Sequence, residues 1–175
     1  MKELVTCLHK EVIEYFAETD IAQISHTEAV HNFAQLIASL ENCNEYQQSL
    51  IEMSALLHDI GCPNAKKKYG NTNPPNQEKE GKPLAKAFLD NYPMPDKDKE
   101  LLAEVVGAHH HLHVLRELGF EILAEADLIV NLLEGYYKME QAQHLYECFV
   151  STKSGKELYY NMFLNTFPKE PEKSK

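Results

Sequence analysis

The residues of this chain that could hold a metal ion or move a proton are few and widely spaced. His26 stands alone, His58 and Asp59 are adjacent, Asp127 interrupts an apolar segment, and His109, His110, His111 and His113 crowd into five positions. Imidazole nitrogens and carboxylate oxygens ligate divalent cations, and histidine also exchanges protons near neutral pH. The His58-Asp59 doublet follows Leu50, Met53, Leu56 and Leu57 and precedes Ile60 and Gly61, a helical spacing that predicts one buried face with the doublet in the last turn. Two readings are open there. The pair converges on a cation that offsets the cost of its burial, or His58 caps the helix end while Asp59 faces water.

The other candidates carry the same ambiguity. Ser25 with Glu28 three residues on reads as a capping box, so a helix is expected from about Ser25, with His26 in its first turn and on the row of Val30 and Ala34. His26 is then either a core residue bonded to a backbone carbonyl or a ligand, and His31, one step off the stripe, is expected to face outward. Asp127 lies among Ile122, Leu123, Ala126, Ile129, Val130 and Leu132, where an ionised carboxylate is costly unless paired or metal-bound; the alternative is an exposed helix face. Adjacent helical residues point about 100° apart, so only one or two of the crowded histidines can aim at a single site. Lys66, Lys67 and Lys68 fall in a stretch rich in Pro, Asn and Gly, 62–76, which is expected to be a long loop. They are either a solvated charge run or a flap that touches phosphate. Glu78 and Glu80 are placed in the first turn of a helix over 77–91, where the helix dipole is reason enough for them.

The elements that must position these groups are helices throughout. Leu4, Val5, Leu8, Val12, Ile13 and Phe16 make an N-terminal stripe; Leu101, Leu102, Val105 and Val106 make another, after an Asp96 cap; and Leu145, Phe149, Leu158 and Phe163 close the fold with a break near Ser154 and Gly155. The expectation is an all-α single domain over 1–167, followed by a disordered polar tail, 168–175. With 27 acidic against 17 basic residues the net charge is -10, which argues against a general nucleic-acid or anionic-membrane surface. Four dispersed cysteines without a C-x-x-C pair, no leader-like apolar run and no membrane-length segment point to a cytoplasmic protein. The oligomeric state is left open.

Taken in order, His26, then His58-Asp59, then Asp127 on separate helices resembles the HD-domain superfamily of metal-dependent phosphohydrolases. The surroundings are similar too: His26-x-x-x-Val30-x-x-x-Ala34, Ala55-Leu56-Leu57-His58-Asp59-Ile60-Gly61 and Glu125-Ala126-Asp127-Leu128-Ile129-Val130-Asn131, spanning about 24–134. The resemblance implies that His26, His58, Asp59 and Asp127 hold a divalent ion such as Mn, Fe, Mg or Co, with Asp59 bridging if a second ion binds. It further implies hydrolysis of a small phosphate ester, a nucleotide, with His109 or His110 as general acid or phosphate donor and Lys66 to Lys68 as phosphate contacts. Two-metal relatives often carry a histidine where this chain has Gln77, the cyclic-dinucleotide branch has a Gly-Tyr-Pro motif that is missing after His110, and alarmone hydrolases have Glu-Asp where Cys62-Pro63 stand. The Gln77-Glu78-Lys79-Glu80-Gly81 segment with the His109-His110-His111 run looks like a small single-domain bacterial subgroup, a resemblance that implies Glu78 or Glu80 and His109 or His110 assist a second ion or the leaving group. A regulatory module without turnover and a di-iron oxygenase are the alternatives within this fold.

Overall fold

A computed structural model describes residues 1–165, and among these there are ten α-helices and no strand. The expected tail, 168–175, lies outside the described residues. In order they are α1 (Lys2–Thr19), α2 (Ala22–Leu40), α3 (Glu45–Leu57), α4 (Cys62–Tyr69), α5 (Pro74–Leu89), α6 (Asp96–Val106), α7 (Leu112–Leu118), α8 (Glu121–Leu133), α9 (Ala142–Phe149) and α10 (Lys153–Tyr159). A 3-10 turn, Met139–Gln141, precedes α9, and a π-helical turn, Tyr160–Leu164, follows α10.

The centre is α3. An Asn44–Gln47 capping box starts it, and every residue from Ser49 to Leu57 is buried. α2 packs against both α3 and α8, and α1 lies across α2 and α3 with Val5, Leu8, Val12 and Phe16 inward. Leu56, Leu57 and Ile60 are fully buried. At roughly 1.5–3 kcal/mol per buried aliphatic side chain, this apolar anchor holds the chain around His58 and Asp59 far more firmly than their own polar contacts could.

Several local expectations change. α2 begins at Ala22, so Ser25 lies inside it, with its Oγ donating to the Ala22 carbonyl instead of capping. His31 is buried, because α1 covers that flank of α2, and its Nε2 lies 3.2 Å from Glu52. Asp96 does not cap α6; Pro95 takes that position, and the buried Asp98 accepts a hydrogen bond from Tyr46. The break in the C-terminal region falls at 150–152, not at Ser154 and Gly155. There Glu125 accepts from the backbone N–H of Ser151 and Thr152 and from both hydroxyls, docking the start of α10.

The expected 62–76 loop is largely helix. Pro63 sits in the first turn of α4, where its missing N–H has no cost; three lysines fill the last turn, where the dipole favours cations; and Gly70, at φ 71°, supplies the left-handed residue that ends it. α5 then starts at Pro74, which moves Glu78 and Glu80 out of the first turn and into its buried face. Gly61 and Gly81 bring α4 and α5 into backbone contact: a Cβ on Gly61 would overlap the Gln77 carbonyl oxygen and the Gly81 nitrogen. That close approach sets Glu78 beside the histidine run.

Candidate metal centre

α2, the end of α3, the turn after α6 and α8 deliver His26, His58-Asp59, His109-His110 and Asp127 to one place. His26 Nε2 lies 3.2 Å from His58 Nε2, 3.3 Å from Asp127 Oδ1 and 3.6 Å from Asp59 Oδ2. His58 Nε2 lies 3.7 Å from Asp59 Oδ2 and 3.8 Å from Asp127 Oδ1. Donor atoms about 2.1 Å from a common ion stand about 3.0 Å apart at right angles and about 3.4 Å apart at tetrahedral angles, so these spacings are close to those a small divalent cation requires.

The protonation pattern points the same way. His58 Nδ1 donates to the Ala55 carbonyl at 2.7 Å, His109 Nδ1 to the Val106 carbonyl at 2.7 Å, and His26 Nδ1 to Glu134 Oε2 at 2.9 Å. A carbonyl can only accept, so on His58 and His109 the ring hydrogen is committed and Nε2 of the neutral ring carries a lone pair. The His109 lone pair faces a carboxylate, and that of His58 lies 3.2 Å from His26 Nε2 with the Asp59 and Asp127 oxygens just beyond. His109 Nε2, 3.5 Å from Asp59 Oδ1, is buried without a hydrogen bond. Lone pair against carboxylate in a buried site is repulsive until a cation or proton lies between them, and ring hydrogens tied back in this way are how metal-binding histidines are oriented.

The electrostatics follow. Burial works against a charge on His26, but Asp127, Asp59 and Glu134 outweigh it and raise its pKa to about 9. Burial dominates at His58 and holds it below the ordinary imidazole value. Asp59 and Asp127 resist the upward push of burial and stay well below the usual carboxylate range, held down chiefly by His58 and His109 for the first and by His26 and His58 for the second. Beside them the Cys62 thiol is pushed up by burial and by Asp59.

A family model described as the HD domain matches residues 24–151. The chain belongs to the HD-domain family. Searches of curated proteins and of solved structures find no match. The family is broadly one of metal-dependent phosphohydrolases, and it is a helical fold, as found here. The match runs past residue 134, through α9.

Around this HD centre the remaining expected residues separate. His110 lines the cavity above the doublet, its Nδ1 3.2 Å from Glu78 Oε1, and its pKa is pushed down to about 4 by burial and by His109. His111 reaches the other Glu78 oxygen at 3.3 Å, and His113 lies farther along α7. Ligand atoms of Glu78, His109 and His110 lie within 4.8 Å of one another, a second group able to take an ion. The lysines go elsewhere: Lys66 pairs with Asp20 at 3.4 Å and Lys68 with Glu80, and none of Lys66, Lys67 or Lys68 lines the cavity.

Two contributors escaped the sequence reading. Glu134 orients His26, and Asn131 donates to Asp127 Oδ1 at 2.8 Å. Asp127, Asn131 and Glu134 stand four and seven residues along one helix stripe, so the spacing from Asp127 carried the signal.

Proposed function

We propose that this HD protein is a cytoplasmic, metal-dependent phosphohydrolase that hydrolyses a small phosphate ester, a nucleotide. The observation that carries the reading is the set of imidazole lone pairs turned toward Asp59 and Asp127 at the floor of a cavity of about 420 Å³. His26, His58, Asp59 and Asp127 would hold a divalent ion such as Mn, Fe, Mg or Co. Such an ion supplies Lewis acidity toward a phosphoryl oxygen and lowers the pKa of coordinated water.

The chain's own groups do the rest. Ala55, Glu134 and Asn131 fix the orientation of the ligands, so the site needs little rearrangement as charge develops. His110 lines the cavity and points one nitrogen at Glu78, which places the pair to take a proton from water and return it. The water oxygen forms the new P–O bond, the ester oxygen leaves with the bonding pair, and the proton taken by His110 is returned to it. Where a second ion binds, Glu78, His109 and His110 would hold it beside Asp59, with Glu78 in place of the histidine that two-metal relatives often carry where this chain has Gln77.

The test is elemental analysis of the purified protein followed by hydrolysis assays on nucleotides and generic phosphodiesters with Mn, Fe, Mg or Co. One or two ions per chain and turnover abolished by chelation are expected. Metal-loaded protein that cleaves none of these esters would replace the hydrolase by a regulatory binding module.

A further inference from the structure

The cavity above the centre has an unusual wall for a phosphate site. Besides His26 and His110 at the centre, it is lined by the carboxylates Asp59, Asp127 and Glu134, the amides Gln23, Gln77 and Asn131, and two tyrosines, without a lysine or arginine. Phosphate chains are ordinarily gripped by Arg forks, Lys or backbone nests, one positive or N–H contact for each group beyond the first. Here the nearest concentrated positive charge, on α4, is tied to Asp20 and Glu80. A divalent ion would be balanced by Asp59 and Asp127, and Glu134 is paired with His26 at 2.9 Å. One phosphate can be received at the floor, and further ones would meet acid and amide groups without a Lys or Arg to grip them.

The mouth is the opposite in character. Tyr136 is 72% exposed and Ile21 is 73% exposed, the two most exposed large apolar side chains among the described residues. Tyr136 lines the cavity, and Ile21 adjoins Ala22, which lines it too. Tyr137 meets Tyr136 edge to face at 5.1 Å, bracing one ring and leaving the other's face open. An open ring at the rim of a polar cavity is a stacking platform, because every base offers a π-face of matching size.

We propose that the cavity selects organic phosphates bearing a single phosphate and an uncharged aromatic portion, nucleoside monophosphates, with Tyr136 as the platform for the base, and that it rejects nucleoside di- and triphosphates. This rests on the phosphohydrolase reading for the position of the phosphate but not for turnover. The volume, about 420 Å³, falls in the usual range for enclosing one small organic ligand.

The chain has no Trp, so Tyr136→Trp installs a single reporter at the rim. Titration of that metal-loaded variant with AMP quenches its emission, with adenosine and ATP each at least about tenfold weaker and glycerol phosphate without quenching. By calorimetry, Tyr136→Ala weakens AMP about tenfold while metal content and inorganic-phosphate affinity are kept, and Tyr136→Phe restores AMP. ATP binding as tightly as AMP, or AMP indifferent to Tyr136→Ala, would overturn the proposal. Quenching by AMP without hydrolysis of any ester would refute the phosphohydrolase and leave the subsite standing. Hydrolysis of every phosphate ester alike, untouched by Tyr136→Ala, would do the reverse.

Discussion

Two places in this molecule bury histidines against carboxylates, and they differ in how completely their polar atoms are satisfied. At the junction of α1, α2 and α3, Glu52 accepts from Gln48 at 3.0 Å, Gln35 at 3.1 Å and His31 at 3.2 Å, while the His31 ring packs on His9, which in turn pairs with Glu28. Every partner there is protein. At the candidate metal centre, His26, His58 and His109 stand 3.5–3.7 Å from the Asp59 oxygens, too far for hydrogen bonds like those on Glu52; His26 reaches Asp127 at 3.3 Å instead, and the ring nitrogens of His58 and His109 turn lone pairs toward acid. Composition is nearly the same in both. A buried network that closes on itself is structure, whereas one that leaves its acceptors facing each other is waiting for a cation.

The sharpest way to break that contrast is to remove the central carboxylate from each. Asp59→Ala is expected to lose bound metal and to lower turnover by more than about a hundredfold, beyond what the loss of a supporting residue alone costs, with the helical circular dichroism kept. Elemental analysis and steady-state assays check it. Unchanged metal content would show that the lone pairs are not ligands. Glu52→Ala should do the converse: His31, Gln35 and Gln48 lose their acceptor inside a packed junction, costing about 3 kcal/mol, or roughly 6–12 °C in Tm, while metal content and turnover hold within about twofold. Urea denaturation decides; a variant as stable as the parent would mean the network is ornamental.

Acid sharpens the same comparison more gently. Burial pushes the Glu52 carboxyl up, but His31, Gln48 and Gln35 outweigh it and hold it below its ordinary value of 4.5. A carboxyl whose folded pKa is depressed contributes stability in full above its unfolded pKa and loses it as pH falls through the folded one. The parent should therefore lose stability below about pH 4.5 more steeply than Glu52→Gln does, as read from urea midpoints at successive pH values in the presence of chelator. Equal slopes would remove Glu52 as the cause.

Which of these two networks could be read from the chain is instructive. His58 and Asp59 were legible because Leu50, Met53, Leu56, Leu57 and Ile60 declare a buried helix face, and a polar doublet on such a face needs a partner. Asp127 was legible for the same reason. The Glu52 network was not, since His31 lies one step off the single stripe that the spacing of α2 predicts; α2 is covered on more than one flank, and one-stripe reasoning misplaces residues on the second. α4 was missed because Pro, Lys and Gly were read as loop composition, although Pro in the first turn, Lys in the last and Gly after it are also the punctuation of a short helix. Tertiary contact between Gly61 and Gly81, which no periodicity foretells, is what carries Glu78 to His110.

The smallest expected effect concerns those lysines. They form the densest positive cluster in an acidic chain, and position alone makes them attractive as phosphate contacts. Yet Lys66 is spent on Asp20, Lys68 on Glu80, and the cavity wall holds none of the three. Exposed pairs of this kind are weak and screened by salt, so they neither add much stability nor project much field into the cavity. Replacing Lys66, Lys67 and Lys68 together by alanine should therefore leave KM for a monophosphate ester within about twofold at physiological ionic strength, with any residual change vanishing as salt is raised. A tenfold or greater rise in KM that survives high salt would require α4 to close over the cavity during binding, and the charge selectivity inferred for the mouth would then have to include it.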